Sequence, residues 1–333
     1  MRHKNKFSKI ITARLSTAGL LLTILLVPVV TLAESAYYDL SFLKMSESTA
    51  VISALDYHKG MLYAALAEYG PLQDDFAKRG SLVKYDIKTG KTEAFLKHAL
   101  PYVSSLAVFE DKALISTHKQ VESGLTNIWL AELCLIELKT GEVLNKISLK
   151  SDCADCYWAD IEQVADRRFA VAMPGQNKVY FILVGEDNRL ERAGESSYMR
   201  EVKALYWNDG VLYAAGSTRV DNETRGAIYT VNEKTKTAEL FMTVMESRGG
   251  FSGLWVSEGF LMATNFYNAK MLDNSLFVFD LSTQKLVAEL QDLPMTTARI
   301  CFSDDTIYAA DLAGVDVAVI KLDFKALKRK AQP

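Results

Sequence analysis

The segment SDCADCYW contains two cysteines, Cys153 and Cys156, at a spacing that supports a local disulfide, redox chemistry or half of a metal site. An oxidising compartment favours the disulfide. Redox activity requires a helix N-terminus in a thioredoxin-like βαβ unit, and the surrounding sequence predicts neither. No histidine follows Cys156, which excludes covalent attachment of a c-type haem at this motif. We therefore predict a Cys153–Cys156 disulfide, with metal or redox chemistry as the open alternatives.

Other residues capable of chemistry are few. Cys134 and Cys301 lie in apolar, strand-like segments and are predicted to be buried free thiols. The motifs G-x-S-x-G and H-E-x-x-H and a glycine-rich phosphate loop are all missing. After Ala33 the histidines are His58, His98 and His118. The sequence thus identifies no catalytic residue.

A repeated pattern sets the positions of these residues. An apolar segment, a turn and a second apolar segment recur as SALDYHKGMLYAAL, SSLAVFEDKALIST, WADIEQVADRRFAVAM, KALYWNDGVLYAAG, SGLWVSEGFLMATN and ARICFSDDTIYAAD. These units start at Ser53, Ser104, Trp158, Lys203, Ser252 and Ala298 and so follow one another at a nearly constant spacing. Each unit continues with a third and usually a fourth predicted strand, and four strands at this period are typical of a β-propeller.

The repeat predicts an all-β fold, a six-bladed β-propeller of four-stranded antiparallel blades. A single sheet cannot bury both of its faces, whereas blades stacked around an axis cover one another. The sixth unit has only three predicted strands, and YYDLSFLKM, residues 37–45, precedes the first unit as an extra strand. We expect this N-terminal strand to join the last blade and close the ring. The predicted domain spans residues 34–333, with DFKALKRKAQ as a short C-terminal helical tail.

The predicted fold gathers polar residues on one face. The loops between second and third strands, AEYGPLQDDFAKRG, HKQVESGLTN, GSTRVDNETRG and NFYNAKMLDN, are long, and the connections between blades lie on the same face. We call this the long-loop face. Its arginines predict capture of an anionic ligand, although pairing with loop acids such as Asp221, Glu223 and Glu246 is an open alternative. The predicted ligand-binding residues are Arg200, Arg219, Arg248, Arg299, Tyr102, His118, Asn265 and Tyr267.

The segments LFVFDLSTQKLVAEL and LVKYDIKTGKTEAF resemble the repeats of bacterial exported propellers, in the broad YVTN-type, quinoprotein-like and gluconolactonase-like group. The resemblance covers nearly all of the chain after Ala33, and it implies fold more than function. In gluconolactonase-like propellers a Glu of the first inner strand helps to hold a divalent metal, and Ser53 and Ala54 stand at that place here. Asn265 and Asp311 are the weak metal candidates, and Asp160 and Glu162 lie on another inner strand. We therefore predict no cofactor, with a divalent metal as the minor alternative.

The N-terminal segment, residues 1–33, is basic and then apolar, and it ends in small residues, as in a secretory signal peptide. An uncleaved membrane anchor is the alternative. Because this segment carries only basic charges, its removal changes the net charge to −8, which argues against nucleic acid as a partner. No later segment is long and apolar enough to span a bilayer. The expected location is periplasmic or secreted.

Three functions remain at this point, and the third of them is that of a purely structural partner in an envelope complex. The first is a binding or protein-interaction module, whose partner on the long-loop face is an anionic small molecule or an acidic protein. The alternative is a propeller enzyme, either a metal-dependent lactonase-like hydrolase or a subunit of a quinone-dependent dehydrogenase.

Overall fold

The structure is a computed structural model. It describes residues 38–45, 51–67, 80–100, 102–123, 126–149, 160–245, 247, 249–265, 275–291, 300–310 and 316–331. The predicted leader, Cys153 and Cys156 lie outside these ranges, so the signal peptide and the disulfide stay predictions.

Six four-stranded antiparallel sheets form a ring, which confirms the predicted six-bladed propeller. Blade 1 contains β2 (Val51–His58), β3 (Met61–Ala67), β4 (Gly80–Asp86) and β5 (Lys91–Leu100). Blade 2 contains β6 (Tyr102–Phe109), β7 (Lys112–Ser123), β8 (Thr126–Glu137) and β9 (Val143–Leu149). Blade 3 contains β10 (Asp160–Ala165), β11 (Arg168–Met173), β12 (Lys178–Val184) and β13 (Leu190–Glu195).

The second half of the ring repeats this order. Blade 4 contains β14 (Ala204–Asn208), β15 (Val211–Val220), β16 (Glu223–Val231) and β17 (Ala238–Val244). Blade 5 contains β18 (Phe251–Ser257), β19 (Phe260–Asn265), β20 (Leu276–Asp280) and β21 (Leu286–Leu290). Blade 6 contains β22 (Ile300–Ser303), β23 (Thr306–Ala310), β24 (Asp316–Leu322) and the N-terminal strand β1 (Tyr38–Lys44).

The pairing of β1 with β24 closes the ring as predicted. The two strands are antiparallel and in register from Tyr38↔Leu322 to Lys44↔Asp316. The first and last parts of the propeller therefore share one sheet, and neither can separate from the ring without breaking a strand pair.

The buried apolar residues of the described chain are divided among six clusters, and each cluster fills the interface between two adjacent blades. Between blades 2 and 3, for example, the rings of Phe109 and Phe169 lie 4.8 Å apart. Between blades 6 and 1, Leu62 packs with Tyr308 and Val317. Both faces of every blade are covered in this way, which explains the nearly continuous apolar runs in the inner strands.

The turns follow from local chemistry. In blades 1, 4 and 5 the first two strands are joined by two residues with positive φ, Lys59–Gly60, Asp209–Gly210 and Glu258–Gly259, as a type I′ hairpin requires. Several turns between third and fourth strands are fixed by an Asp or Asn side chain that accepts a backbone N–H three residues on. These acceptors are Asp86, Asn232 and Asp280, with distances of 3.1, 3.0 and 2.8 Å.

Two of the four predicted long loops are wrong. HKQVESGLTN and GSTRVDNETRG are strand extensions, because β7 and β8 stay paired out to Ser123↔Thr126, and β15 and β16 out to Val220↔Glu223. Continued antiparallel pairing gives the backbone N–H and C=O groups partners that an exposed loop would leave to water. The other two predicted loops fall mostly outside the described residues.

The C-terminal tail is helical as predicted, with α1 spanning Phe324–Ala331. The Asp323 carboxylate accepts the Ala326 N–H at 3.0 Å and caps its first turn. Leu327 is fully buried, and the Phe324 ring stacks on Phe260 with centroids 5.9 Å apart. No helix among the described residues has the length and apolar character needed to cross a membrane.

Ring closure makes a stability prediction. Leu62→Ala removes a fully buried side chain from the interface between the first and last blades. We expect a loss of about 2–5 kcal/mol in the free energy of unfolding, measured by urea denaturation. The control Leu240→Ala removes a side chain that is 54% exposed on β17 and is expected to cost less than about 0.5 kcal/mol. Equal effects of the two substitutions would contradict the described closure.

Candidate functional site

A cavity of about 270 Å³ lies in the central channel, and the first strand of every blade contributes to its wall. We call it the channel cavity. The side chains that give it chemical character are acidic, aromatic, hydroxylic and, at one position, basic. They are Asp56, Asp160, Glu162, Tyr57, Tyr206, Phe302, Ser104, Ser105, Ser252, Cys301 and Lys203.

Three carboxylates of the cavity hydrogen-bond to the backbone of the following blade. Asp56 of blade 1 accepts the Val108 N–H at 2.7 Å, and Glu162 of blade 3 accepts the Trp207 N–H at 2.9 Å. Asp160 of blade 3 accepts an N–H of β14 at 2.7 Å. The first strand of a blade is an edge strand. The N–H groups on its free edge, which faces the axis of the ring, have no neighbouring strand. The carboxylates therefore supply partners that the sheet itself cannot provide.

The strand register shows that Asp56 and Glu162 are equivalent. Asp56 pairs with Tyr63 and Glu162 with Ala170, which occupy the same place in their blades. The other four blades carry uncharged residues at this position, Ala107, Tyr206, Trp255 and Cys301. Two acids thus stand at a position that elsewhere serves packing between blades.

Enclosure by protein changes the acidity of these groups. Burial raises the pKa of Asp56 from its ordinary value of 3.8 to about 7, against the lowering effect of hydrogen bonds from Val108 and Tyr57, and repulsion by Asp160 adds to the increase. Burial raises the pKa of Asp160 to about 6. Burial, followed by repulsion from Asp160 and Asp56, raises the pKa of Glu162 well above its usual range. The cavity therefore contains carboxyl groups that titrate near neutrality.

The aromatic side chains of the cavity are held in place by packing against rings of neighbouring blades. Tyr57 stacks on Tyr308 with ring centroids 5.8 Å apart, and Phe302 stacks on Trp255 at 4.9 Å. Tyr206 meets Phe302 edge to face at 6.3 Å. Burial, and then the charge of Glu162, raises the pKa of Tyr206 to about 12, so its hydroxyl stays protonated. The rings and the acids thus face one space from rigid strands.

The cavity combines groups that can bind a ligand with carboxyl groups that can exchange protons. No group of three or more His, Cys, Asp or Glu side chains within the described ranges is placed to hold a metal ion. The metal candidate Asn265 is buried, and its Oδ1 accepts the Ser275 N–H at 3.1 Å, as a structural side chain does. The second candidate, Asp311, lies outside the described residues.

The structure describes only part of the predicted long-loop face. Arg219 is exposed near the end of β15. Arg200 lies 3.6 Å from the Glu201 carboxylate, and Arg225 forms an ion pair with Glu223. Pairing with nearby acids, the alternative that the sequence left open, therefore holds for these two arginines.

The remaining predicted ligand-binding residues divide into two groups. Tyr102 begins β6, and His118 lies on β7 and pairs in register with it, but their side chains are outside the description. Arg248, Arg299 and Tyr267 lie outside the described residues altogether. Apart from the strand pairing of Tyr102 with His118, no described contact brings members of the predicted set together, and the role of the set stays a prediction.

The sequence analysis missed Asp56, and it noted Asp160 and Glu162 only as acids of an inner strand. A signal was present in the repeat. When SALDYHKG, WADIEQV and KALYWNDG are aligned, an acid replaces an apolar or aromatic residue at one repeat position in blades 1 and 3. A charge at a packing position is a sequence-level indication of a functional or structural polar site. The predicted buried free thiols Cys134 and Cys301 are confirmed.

Comparison with known proteins supports the fold alone. No family model matches the chain, and no curated protein resembles its sequence significantly. Among solved structures, a streptogramin B lyase is 12% identical, with a TM-score of 0.50 over 86% of this chain and 98% of its own. Selenomethionine-substituted virginiamycin B lyase from Staphylococcus aureus is 12% identical, with a TM-score of 0.51 over 86% and 100% of the two chains. The chain thus has a six-bladed propeller fold similar to that of these lyases.

The raised pKa of Asp56 predicts how stability varies with pH. Between about pH 4 and pH 7 Asp56 binds more protons in the folded protein than in the unfolded chain, so its contribution to stability decreases as the pH rises through this range. Asp56→Asn removes one of the titrating groups. We expect a smaller loss of unfolding free energy in this variant than in the wild type between about pH 4 and pH 7.

The matched control is Asp316→Asn, which changes an exposed carboxylate on β24. Urea denaturation at several pH values measures all three proteins. A pH dependence of Asp56→Asn that is parallel to the wild type would show that Asp56 ionises normally in the folded protein.

Proposed function

We propose that the protein is a small-molecule-binding module and that the channel cavity is its binding site. The observation that carries this proposal is the convergence of carboxylates from blades 1 and 3 with aromatic rings from blades 1, 4 and 6 on one partly open cavity. Enclosed sites with a few convergent polar groups are the usual form of a ligand pocket. Because these side chains project from paired strands, binding requires little ordering of the protein.

The size of the cavity limits the ligand. Pockets for drug-sized molecules occupy about 300–1,000 Å³. A cavity of about 270 Å³ therefore suits a metabolite-sized molecule rather than a folded partner.

Enzymatic activity is the alternative. The printed descriptions of both similar structures are of lyases, but at 12% identity they indicate no catalytic residue here. One observation favours catalysis, since a carboxyl whose pKa is near 7 is suited to general acid–base chemistry. Conversion of a bound compound that is abolished by Asp56→Asn would favour the enzyme.

We further propose that the protein is exported to the periplasm or secreted, on the basis of the basic and then apolar composition of residues 1–33. Membership in the broad YVTN-type, quinoprotein-like and gluconolactonase-like group of bacterial exported propellers is part of the same proposal. The repeat segments and the six-bladed fold support it.

The long-loop face remains a second proposed site, for an anionic small molecule or an acidic protein. The exposed Arg219 supports it, since a guanidinium at the surface is available to carboxylates and phosphates. The ion pairs of Arg200 and Arg225 weaken it.

Binding in the channel cavity is tested by blocking it. Ser104 lines the cavity and is partly exposed, so Ser104→Trp places a large ring there. We expect compounds that raise the melting temperature of the wild type, from a panel of small cations, anions and neutral molecules, to lose their effect in this variant. Ser148→Trp, on the exposed outer strand of the same blade, is the control and should retain the effect.

Two results would count against the channel cavity. One is a panel in which no compound affects the wild type. The other is a ligand whose effect is the same in Ser104→Trp and in Ser148→Trp.

The long-loop face makes a separate prediction. If Arg219 binds acidic groups, Arg219→Ala should weaken salt-sensitive retention of the protein on immobilised polyglutamate by several-fold. Arg189→Ala is the control, because Arg189 is also an exposed arginine and lies in a tight turn on the opposite face. Equal retention of the two variants would remove support for this face.

A further inference from the structure

We propose that the ligand of the channel cavity is a small organic ammonium cation, held by Glu162 and by the aromatic rings of the same cavity. This inference rests on the proposed function, because it assigns a ligand class to the site proposed there. It concerns the cavity alone and is independent of the long-loop face.

The charge of the wall favours a cation. Three carboxyl groups line the cavity, whereas Lys203 is the one basic residue in its described wall. The chain as a whole has a formal net charge of −3. The negative charge of the cavity therefore has the same sign as that of the protein. A cavity whose wall carries an excess of one sign of charge concentrates small ions of the opposite sign.

Glu162 is the carboxylate best able to contact a ligand. Both oxygens of Asp56 accept backbone N–H groups, from Tyr57 and Val108. Both oxygens of Asp160 do the same. Glu162 accepts one N–H through Oε1, and within the described structure no partner is found for Oε2. Asp56 and Asp160 therefore contribute mainly through their charge, while Glu162 has an oxygen available for a direct contact.

The three acids also oppose one another. Beyond the effect of burial, repulsion among them raises the pKa of Asp56 and Glu162. A cation bound between them attracts all three carboxylates and reduces this repulsion, so binding is coupled to their ionisation. An anion would be repelled by the three carboxylates, and a neutral molecule would leave the repulsion among them unchanged.

The aromatic rings point to an organic cation. Tyr57, Tyr206 and Phe302 line the cavity from three different blades. The face of an aromatic ring attracts ammonium groups, and several rings around one space are the usual site for quaternary ammonium ligands. The contacts of Tyr57 with Tyr308 and of Phe302 with Trp255 hold these rings in place.

A divalent metal fits this wall less well. Metal ions such as Ca²⁺ require about six or more oxygen ligands, and aromatic rings provide none. Within the described ranges, no set of His, Cys, Asp and Glu side chains has the arrangement of a metal site. The mixed acidic and apolar wall instead matches a ligand that has both a charge and hydrocarbon groups.

Choline and 3,3-dimethylbutan-1-ol test the proposal directly. The second compound is the uncharged isostere of choline, with carbon in place of nitrogen. Isothermal titration calorimetry of the wild-type protein with each should show binding of choline at least about tenfold tighter than that of dimethylbutanol. Butylammonium and butanol form a second pair of a charged and an uncharged compound, in which a hydroxyl replaces the ammonium group. This pair tests a ligand without methyl groups on nitrogen. Equal affinity within both pairs, or no saturable binding of either cation, overturns the proposal.

Variants assign the binding to this cavity. Glu162→Gln keeps an oxygen that can accept the Trp207 N–H, and it should weaken binding of the cation by about tenfold. Phe302→Leu should weaken it by several-fold through loss of a ring. Glu191→Gln changes an exposed glutamate on the outer strand of the same blade and should have no effect. Equal binding by Glu162→Gln and Glu191→Gln would place the cation elsewhere.

The pH dependence gives an independent result. Cation binding should weaken as the pH falls from about 8 to 5, because the carboxyl groups become protonated. The titratable groups that face the cavity are Asp56, Asp160, Glu162, Lys203, Tyr57, Tyr206 and Cys301. Binding that does not change with pH contradicts a role for the acids.

The failure of this inference can be told apart from failure of the proposed function. If the cations do not bind but an anion or a neutral compound is excluded by Ser104→Trp, the cavity is a binding site for another ligand class. If no compound distinguishes Ser104→Trp from Ser148→Trp, the proposed function itself fails.

Discussion

The antiparallel pairing of β1 with β24 is the constraint on which the remaining structure depends. It brings residues from the two ends of the described chain into one sheet and makes a ring of six blades that would otherwise be an open array. An open array leaves an apolar face exposed at each end, whereas a closed ring buries both faces of every blade. The cluster that contains Leu62, Tyr308 and Val317 is the interface that exists only because the ring is closed.

Closure also leaves backbone N–H groups at the centre of the ring without strand partners, and side chains of the channel cavity accept some of them. Six first strands face a common axis, and the N–H groups on their inner edges have no neighbouring strand. The carboxylates of Asp56, Asp160 and Glu162 accept three of these N–H groups from the following blade. The same groups thereby connect blade 1 to blade 2 and blade 3 to blade 4 at the centre of the ring. A structural role and a binding role are compatible here, because a carboxylate has more acceptor sites than one or two N–H groups occupy.

Placing three acids around one cavity has a cost that is visible in their acidity. Enclosure raises the pKa of all three groups, and their proximity adds repulsion. A purely structural network would gain nothing from placing several acids near one another. A site for a cation gains from it, since the ligand relieves a repulsion that the fold maintains. The aromatic rings on the same wall make no use of the edge N–H groups. They pack between blades, and under the proposed function they also contact the ligand.

The sequence by itself determined the repeat, and with it much of the fold. Apolar segments and turn residues act locally, so their recurrence revealed six blades, the extra N-terminal strand and the C-terminal helix. Local patterns also misled, since the polar residues of HKQVESGLTN and GSTRVDNETRG were interpreted as loops although β7–β8 and β15–β16 continue through them. Polar composition does not distinguish an exposed loop from an exposed hairpin, because both are solvated.

The candidate site was decided by the tertiary structure. Asp56 lies two blades before Glu162 in the sequence, and nothing local indicates that the two share a cavity with Tyr206 and Phe302. The aligned repeats show that acids replace packing residues in blades 1 and 3, but not what those acids contact. Only the radial arrangement of the blades brings the first strands together around one axis. Burial, repulsion and hydrogen bonding between blades follow from that arrangement, because each depends on distance in space and not on position along the chain.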